Sequence, residues 1–474
     1  MTETIETDVL VIGAGSGGLS VAAGAVQLGA RVVLLERHRM GGDCLNYGCV
    51  PSKALLAAAR HAHTMSAGAP FGIQPVDPVV DYGAVMDHVR GTIETIAPVD
   101  SEERFRGLGV TVIRAEGRFV DADTVEAGDA RIRARRIVIA TGSSPLVPPV
   151  DGLDRVPFLT NETLWDLRER PGHLLILGGG PIGMEMAQAH RRLGCDVTVV
   201  EGATALGKDD PEAAAVVIAQ LRAEGVSIEE GVRIARAEGE AGRIALVAED
   251  GRRFDGTHLL VAAGRRPNLD ALDLAAGGVE AGPKGVTVGD DLRSTTNRRV
   301  YAVGDVAGGL QFTHVAGYHA SVVIRSILFA LPSKAKTHHI PWVTYTDPEL
   351  AQVGLTEAAA RERHGEGIEV VRAAFDENDR AIAERDTAGS IKVVVRKGRP
   401  IGVTLVGPDA GNLIGLWALA LSAGLKMSQV AGMVAPYPTL GELSKRAAGA
   451  YFGPRLFESR GVKAAVRLVQ GRGR

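Results

Sequence analysis

Two apolar patterns alternate along the chain. Short, nearly continuous apolar runs within "DVLVI", "RVVLL", "HLLIL" and "DVTVV" show no alternation of apolar and charged positions. Runs of that length predict strands buried on both faces, as in a parallel sheet covered by helices. Between them lie segments with helical character, "LSVAAGAVQLGA" in the first part and "IGMEMAQAHRRL" in the second. Met184, Met186 and Ala187 of the second segment read as ordinary core residues. Past residue 340 the order changes, with strands "SIKVVVRKG" and "PIGVTLVG" and a helix "NLIGLWALALSAGL". The segment "SAGAPFGIQPVDPVVD" reads as a surface loop, and there are no short-period repeats. The pattern predicts an α/β chain.

Glycine punctuates both strand–helix–strand units. Gly13, Gly15 and Gly18 follow the first strand, and the second strand ends at Glu36. Gly178, Gly180 and Gly183 repeat the arrangement, ending at Glu201. In this GxGxxG setting the first glycine permits a tight turn and the second lets backbone approach a pyrophosphate. The third lets helix pack on strand, and the helix N-terminus presents NH groups and a positive dipole end to phosphate. The terminal acid suits a ribose hydroxyl. Two such units predict two dinucleotides, and a flavin with a nicotinamide is the natural pair, FAD with NADH. From Glu201 through Gly207 there is no Arg or Lys to accept a 2′-phosphate, so NADPH is disfavoured.

Composition narrows the setting. The 474 residues carry 45% hydrophobic and 23% charged side chains and a formal charge of −3, with no global basic field for nucleic acid. The opening "MTETIETDVLVIGAG" shows neither a basic n-region nor a long apolar run, so no signal peptide is expected. No transmembrane helix is expected either. Three cysteines are too few for a secreted disulfide framework, and the expected compartment is cytoplasmic.

Two of those cysteines, Cys44 and Cys49, stand in "GGDCLNYGCVPSK". A structural zinc site wants four ligands. Cys195 reads as a core residue, and His61 and His63 diverge on a helix, so no metal site is expected. A redox couple fits better. In a regular helix, residues five apart have Cα atoms roughly 8–9 Å apart, whereas a disulfide wants about 4.4–6.8 Å. If the pair is bridged, the segment must therefore break from regular helix, which Asn46 and Gly48 tolerate. Pro51 suits the first turn of a new helix, whose N-terminus favours a thiolate at Cys49.

"GGDCLNYGCVPSKALL" resembles the active-site signature of the pyridine nucleotide-disulfide oxidoreductases, class I, whose branches include dihydrolipoamide dehydrogenase and mercuric reductase. Other motifs follow in family order. "RRIVIATGSSP" (Ala140, Thr141, Gly142) and "LLVAAGRRPN" (Gly264 to Asn268) are similar to the turns closing the nucleotide domains. "RVYAVGDVAGG" (Gly304, Asp305) is similar to the flavin motif, and "VTYTDPELAQVGLTE" to the start of a dimerisation domain. The resemblance implies two Rossmann-like domains, for FAD and NAD, plus a C-terminal α+β dimerisation domain. Its boundaries are 1–148 and 270–340 for FAD, 149–269 for the nicotinamide, and 341–474 for dimerisation.

The resemblance also implies roles. Electrons pass from NADH through FAD to the Cys44–Cys49 disulfide and on to an acceptor, a small-molecule or protein disulfide. Cys49 is the flavin-side sulfur and Cys44 the interchange thiol. Lys53 sits at the flavin with Glu185 as its ion-pair partner, and Asp305 meets the ribityl chain. Gly42, Gly117 and His314 are further cofactor contacts. The partner in a homodimer supplies an acid/base His and a Glu. Here "YPTLGE" puts Tyr437 at the His position, with Glu442 in place. A tyrosine titrates near 10 and shuttles protons poorly at neutral pH. It is similar to mercuric reductase, yet the tail lacks that branch's cysteine pair. The acceptor stays open between a disulfide, as in dihydrolipoyl dehydrogenase, and a metal ion, and a non-turnover redox sensor or binding subunit remains an alternative.

The tail carries six basic residues against one acid from Arg455 to Arg474. On a helix, Val462, Ala465, Val466 and Val469 share one face and Arg460, Lys463 and Arg467 another. That face could meet an anionic membrane surface or an acidic partner, or pack on the protein's own dimer.

Overall fold

The computed structural model describes residues 4–471. The chain divides into two units: Met1–Gly202 with Glu229–Lys336, and Ala203–Ile228 with Thr337–Arg474. Arg472 and Arg474 of the basic tail and the first three residues of the N-terminal segment lie outside the described residues.

In the first unit, β1 (Thr4–Ile12) leads into α1 (Ser16–Gln27) and β2 (Val32–Leu35). Then come α2 (Gly42–Asn46), α3 (Cys49–Ser66) and α4 (Tyr82–Ile96), with the segment between α3 and α4 mostly exposed. Four strands follow: β3 (Thr111–Ile113), β4 (Gly117–Phe119), β5 (Thr124–Ala127) and β6 (Ala130–Ile139). They join β1 and β2 in the order β3-β2-β1-β6-β5-β4. The β3-β2-β1-β6 portion is parallel, while β4, β5 and β6 run as an antiparallel meander. Val9 to Ile12 and all of β2 are buried, as a parallel strand covered on both faces requires.

Two glycines fix the turn between β1 and α1. Gly13 has φ +106°, and a Cβ there would stand 2.5 Å from the Ala140 carbonyl oxygen. A Cβ on Gly18 would stand 1.9 Å from the Gly13 carbonyl oxygen, so only glycine lets α1 pack this close. The second fingerprint repeats the geometry: a Cβ on Gly183 would stand 2.0 Å from the Gly178 carbonyl oxygen. There β7 (His173–Leu177), α5 (Pro181–Arg192) and β8 (Asp196–Val200) succeed one another, and β9 (His258–Val261) completes a parallel run β8-β7-β9. Met184, Met186, Ala187 and Cys195 are buried in its core. The unit closes with β10 (Val300–Ala302), parallel to β6, and α6 (Thr313–Phe329).

The second unit holds a five-stranded antiparallel sheet. Its strands are β11 (Pro341–Thr344), β12 (Glu349–Gly354), β13 (Glu369–Ala374), β14 (Ser390–Arg396) and β15 (Arg399–Gly407), in the order β11-β12-β15-β14-β13. The short α7 (Asp379–Glu384) lies between β13 and β14 in the chain, and α8 (Ala410–Ser422) and α9 (Glu442–Gly453) follow the sheet. Trp417 of α8 is fully buried and its indole NH donates to the Ser444 hydroxyl of α9 at 3.0 Å. The same unit takes in the helix Pro211–Ala223, where buried Asp210 accepts from Lys392 of β14 at 2.9 Å. A last helix, α10 (Arg460–Gly471), runs through the basic tail with every residue exposed. Among the described residues no helix is long and apolar enough to cross a membrane.

Candidate active site

Cys44 lies in α2 and Cys49 is the first residue of α3. The helical path breaks between them: Tyr47 has φ −139° and Gly48 φ −122°, ψ −105°. That break brings the two thiols into hydrogen-bond contact, as two free cysteines. Their surroundings make them unequal. Cys49 falls to about 6, because Cys44 donates to it, with help from Thr313 and the Lys53 charge against desolvation and Asp43. Cys44 is pushed up, because it keeps the shared proton and is desolvated.

Lys53, one turn further along α3, places Nζ 2.8 Å from Glu185 Oε2, and Glu185 is buried in α5. The two residues paired by the family resemblance are thus adjacent. On the other side of Cys49, Thr313 at the start of α6 sets its hydroxyl 3.2 Å from the sulfur. Asp43, the residue before Cys44 in α2, accepts from Asn161 at 3.0 Å and lies 3.2 Å from Arg265. Asp305 accepts from Ser143 at 2.5 Å; burial pushes its carboxyl up while Ser143 and Arg265 oppose that rise.

The residues expected to contact cofactors form two sets. Glu36 is buried, with Oε2 accepting from Ala14 NH at 2.8 Å and Oε1 from His38 NH at 2.7 Å. Glu201 accepts from Gly179 NH at 2.7 Å in the second fingerprint. Thr141 and Gly142 meet the second closing motif directly: the Thr141 hydroxyl donates to the Asn268 carbonyl at 2.7 Å, and Asn268 NH to the Gly142 carbonyl at 3.0 Å. Gly264 accepts from Leu146 NH at 2.9 Å. Gly42 packs beside Gly15, where a Cβ would meet Gly15 Cα at 2.7 Å. Gly117 opens β4 against Leu35, and Gly304 lies against Ala316 of α6. His314 is exposed and stacks on Phe312.

These residues fit dinucleotides. The N-termini of α1 and α5 have glycine N-caps, Gly15 and Gly180, no side-chain cap and no acid in the first turn. Such ends offer backbone NH groups to a diphosphate. Each has a carboxylate at the end of the following strand for a ribose.

Tyr437 and Glu442 belong to the second unit. Tyr437 is 71% exposed and its hydroxyl donates to Asp379 at 3.0 Å. Glu442 instead accepts from Thr439 NH at 3.5 Å, at the start of α9. Sequence reasoning missed Thr313, Ser143, Arg265 and Asp379. Thr313 had one signal, a hydroxyl at a helix start just after the flavin motif. Asp379 had none.

Two dinucleotide-binding folds around a pair of unequal cysteines define a flavin- and nicotinamide-dependent oxidoreductase that works through a dithiol–disulfide couple. The chain belongs to the pyridine nucleotide-disulphide oxidoreductase family, whose model matches residues 7–320, with the family's dimerisation domain matching 340–448. It is 36% identical over 448 residues to a mercuric reductase of Lysinibacillus sphaericus, covering 93% of this chain and 82% of that protein. It is 34% identical over 457 residues to a dihydrolipoyl dehydrogenase of Geobacillus stearothermophilus, covering 94% and 96%. Among solved structures it is similar to the HOCl-induced flavoprotein disulfide reductase RclA from Escherichia coli, with TM-score 0.83, 26% identity and coverage of 93% and 99%. LpdA from Mycobacterium tuberculosis gives TM-score 0.85 at 25% identity, also covering 93% and 99%. The enzyme therefore uses FAD and NAD(P)H, and its C-terminal dimerisation domain makes it a homodimer.

Proposed function

We propose that the protein is an NADH-preferring reductase that delivers two electrons through Cys44 and Cys49 to a thiol-reactive acceptor, a small-molecule or protein disulfide. FAD, when bound, relays electrons between the nicotinamide and the sulfur pair. The observation that carries the reading is the inequality of the two thiols. Cys49 holds the negative charge, while Cys44 keeps the proton and is the sulfur that forms the mixed disulfide once that proton is removed. Lys53, anchored by Glu185, keeps a cation beside the pair. Overall, NADH and a proton reduce the disulfide to two thiols, and those thiols reduce the acceptor while the disulfide re-forms.

An NADH preference is supported by Glu201, whose carboxylate accepts from Gly179 NH in the second fingerprint and would repel a 2′-phosphate, and by the lack of Arg or Lys through Gly207. We assign FAD to 1–148 and 270–340, the nicotinamide to 149–269 and dimerisation to 341–474, with a cytoplasmic location. Tyr437 and Glu442 complete the partner's site.

One observation favours a second acceptor class. Asp379 holds the Tyr437 proton, which leaves the position without an acid/base for a departing thiolate. A soft metal ion needs no such proton, and the similarity to mercuric reductases agrees. The tail adds a weak contact with an anionic membrane or an acidic partner through α10; truncation after Ser459 should abolish flotation with anionic liposomes at low salt.

A panel of acceptors with purified enzyme and NADH tests the reading. Lipoamide, glutathione disulfide and Hg(II) should give weak turnover compared with the true acceptor, and efficient Hg(II) turnover would instead favour the metal-ion reading. Efficient lipoamide turnover would instead make the protein a dihydrolipoyl dehydrogenase. Failure of NADH to bleach the bound flavin would leave only a redox sensor or binding role.

A further inference from the structure

Pro51 leaves a backbone acceptor open between the two cysteines. In a continuous helix the Tyr47 carbonyl would accept from the NH of residue 51, and proline has none. The neighbouring groups are satisfied within the segment: Tyr47 NH donates to the Asp43 carbonyl at 2.8 Å and Ser52 NH to the Gly48 carbonyl at 3.1 Å. Tyr47 closes α2 at the break before Cys49, so its carbonyl needs donors from elsewhere in the chain.

Two supply it, from 114 and 118 residues further on. Asn161 Nδ2 donates to the Tyr47 carbonyl at 3.3 Å, and the Trp165 indole NH donates to the same oxygen at 3.0 Å. Asn161 is buried, and the second hydrogen of its amide goes to Asp43 Oδ1 at 3.0 Å. One amide thus ties the residue before Cys44 to the residue two before Cys49. The segment that carries both donors is itself anchored on β9. Leu159 NH donates to the Leu259 carbonyl at 2.7 Å, and Val261 NH donates to the Leu159 carbonyl at 2.8 Å.

We propose that Asn161 and Trp165 are positioning residues that hold the segment between Cys44 and Cys49 in its closed geometry and so favour the disulfide over the dithiol. Reduction adds two electrons and two protons, breaks the sulfur–sulfur bond and leaves two thiols, after which the segment is free to relax. The disulfide form cannot relax, because its Cα atoms must stay about 4.4–6.8 Å apart. An unpartnered Tyr47 carbonyl therefore costs the oxidised form more than the reduced form, which can turn the group to water. Losing the donors should move the couple toward the dithiol. The inference rests on the reading of Cys44 and Cys49 as the working couple, but its test needs neither NADH nor an acceptor.

Full-length holoenzyme is equilibrated anaerobically near pH 7 in mixtures of reduced and oxidised dithiothreitol. Exchange oxidises one dithiothreitol to its cyclic disulfide for each Cys44–Cys49 disulfide reduced. Acid quenching, alkylation with N-ethylmaleimide and peptide mass spectrometry give the fraction of the pair that is reduced. Trp165→Phe removes the indole NH, keeps an aromatic ring and leaves the Asp43 contact alone. It should shift the equilibrium about fivefold toward the dithiol, about 20 mV. Trp165→Phe with Asn161→Ala should shift it about tenfold or more, about 30 mV or above. A Trp165→Phe midpoint equal to that of the parent, or moved toward the disulfide, would overturn the proposal. The single variant decides if the double variant does not fold. A shifted equilibrium in an enzyme whose pair NADH fails to reduce would end the proposed function and leave the Asn161 and Trp165 assignment standing.

Discussion

The Tyr437 hydroxyl donates to the Asp379 carboxylate at 3.0 Å, and Arg446 lies 3.7 Å from the same carboxylate. The acceptor and its negative charge both favour the protonated phenol, so Tyr437 is held above its ordinary value. At neutral pH it is a fixed hydrogen-bond donor. Asp379→Asn removes the charge, and the phenol should then ionise at lower pH than in the parent. Ultraviolet difference titration, with Tyr437→Phe to identify the signal, checks the direction; an unchanged midpoint would show that the pair does not form.

Tyr437→His should raise turnover with a small disulfide by about tenfold, below the 10²–10⁴ of a fully positioned acid/base. The new imidazole titrates within the working range, but Asp379 is placed for a phenol. Steady-state kinetics with NADH and glutathione disulfide measure the change. A flat response would locate the limitation elsewhere than the missing proton shuttle.

Buried Lys392 offers a stability test away from the cysteines. Its ammonium lies 2.9 Å from Asp210, 3.0 Å from Glu212 and 3.3 Å from Glu357, and Lys392 and Asp210 are both almost fully buried. Lys392→Ala leaves the Asp210 carboxylate buried without its partner and should cost about 3–5 kcal/mol. Lys392→Met with Asp210→Asn should recover much of that loss. Chemical denaturation followed by fluorescence reads both.

Glu201→Gln should narrow the preference for NADH over NADPH, because the amide no longer repels a 2′-phosphate. The ratio of kcat/KM values for the two nucleotides, taken with an artificial dye acceptor, should fall by about three- to tenfold. An unchanged ratio would mean that Glu201 does not face the ribose.

How much of this was legible beforehand follows from how far apart the interacting residues lie in the chain. The two nucleotide folds were readable because each fingerprint is local: Gly13 and Gly18 determine one turn, and the apolar runs on either side are continuous. The break between Cys44 and Cys49 was readable for the same reason. Thr313 was not, since its contact with Cys49 spans 264 residues and depends on where α6 begins. Asp379 and Tyr437 are 58 residues apart, on elements that only the folded second unit brings together. The helical tail was predicted from spacing and forms as α10, but its apolar residues Val466 and Val469 stay exposed, so its partner is not written in the fold.

Thiol counting shows whether Cys44 and Cys49 are the couple through which electrons leave the enzyme. The air-oxidised enzyme is treated anaerobically with one equivalent of NADH or left untreated, then quenched with excess iodoacetamide and mapped by peptide mass spectrometry. Cys44 and Cys49 should resist alkylation before NADH, joined in one disulfide-linked peptide, and both should become alkylated after it. Alkylation of the pair to the same extent with and without NADH would contradict it.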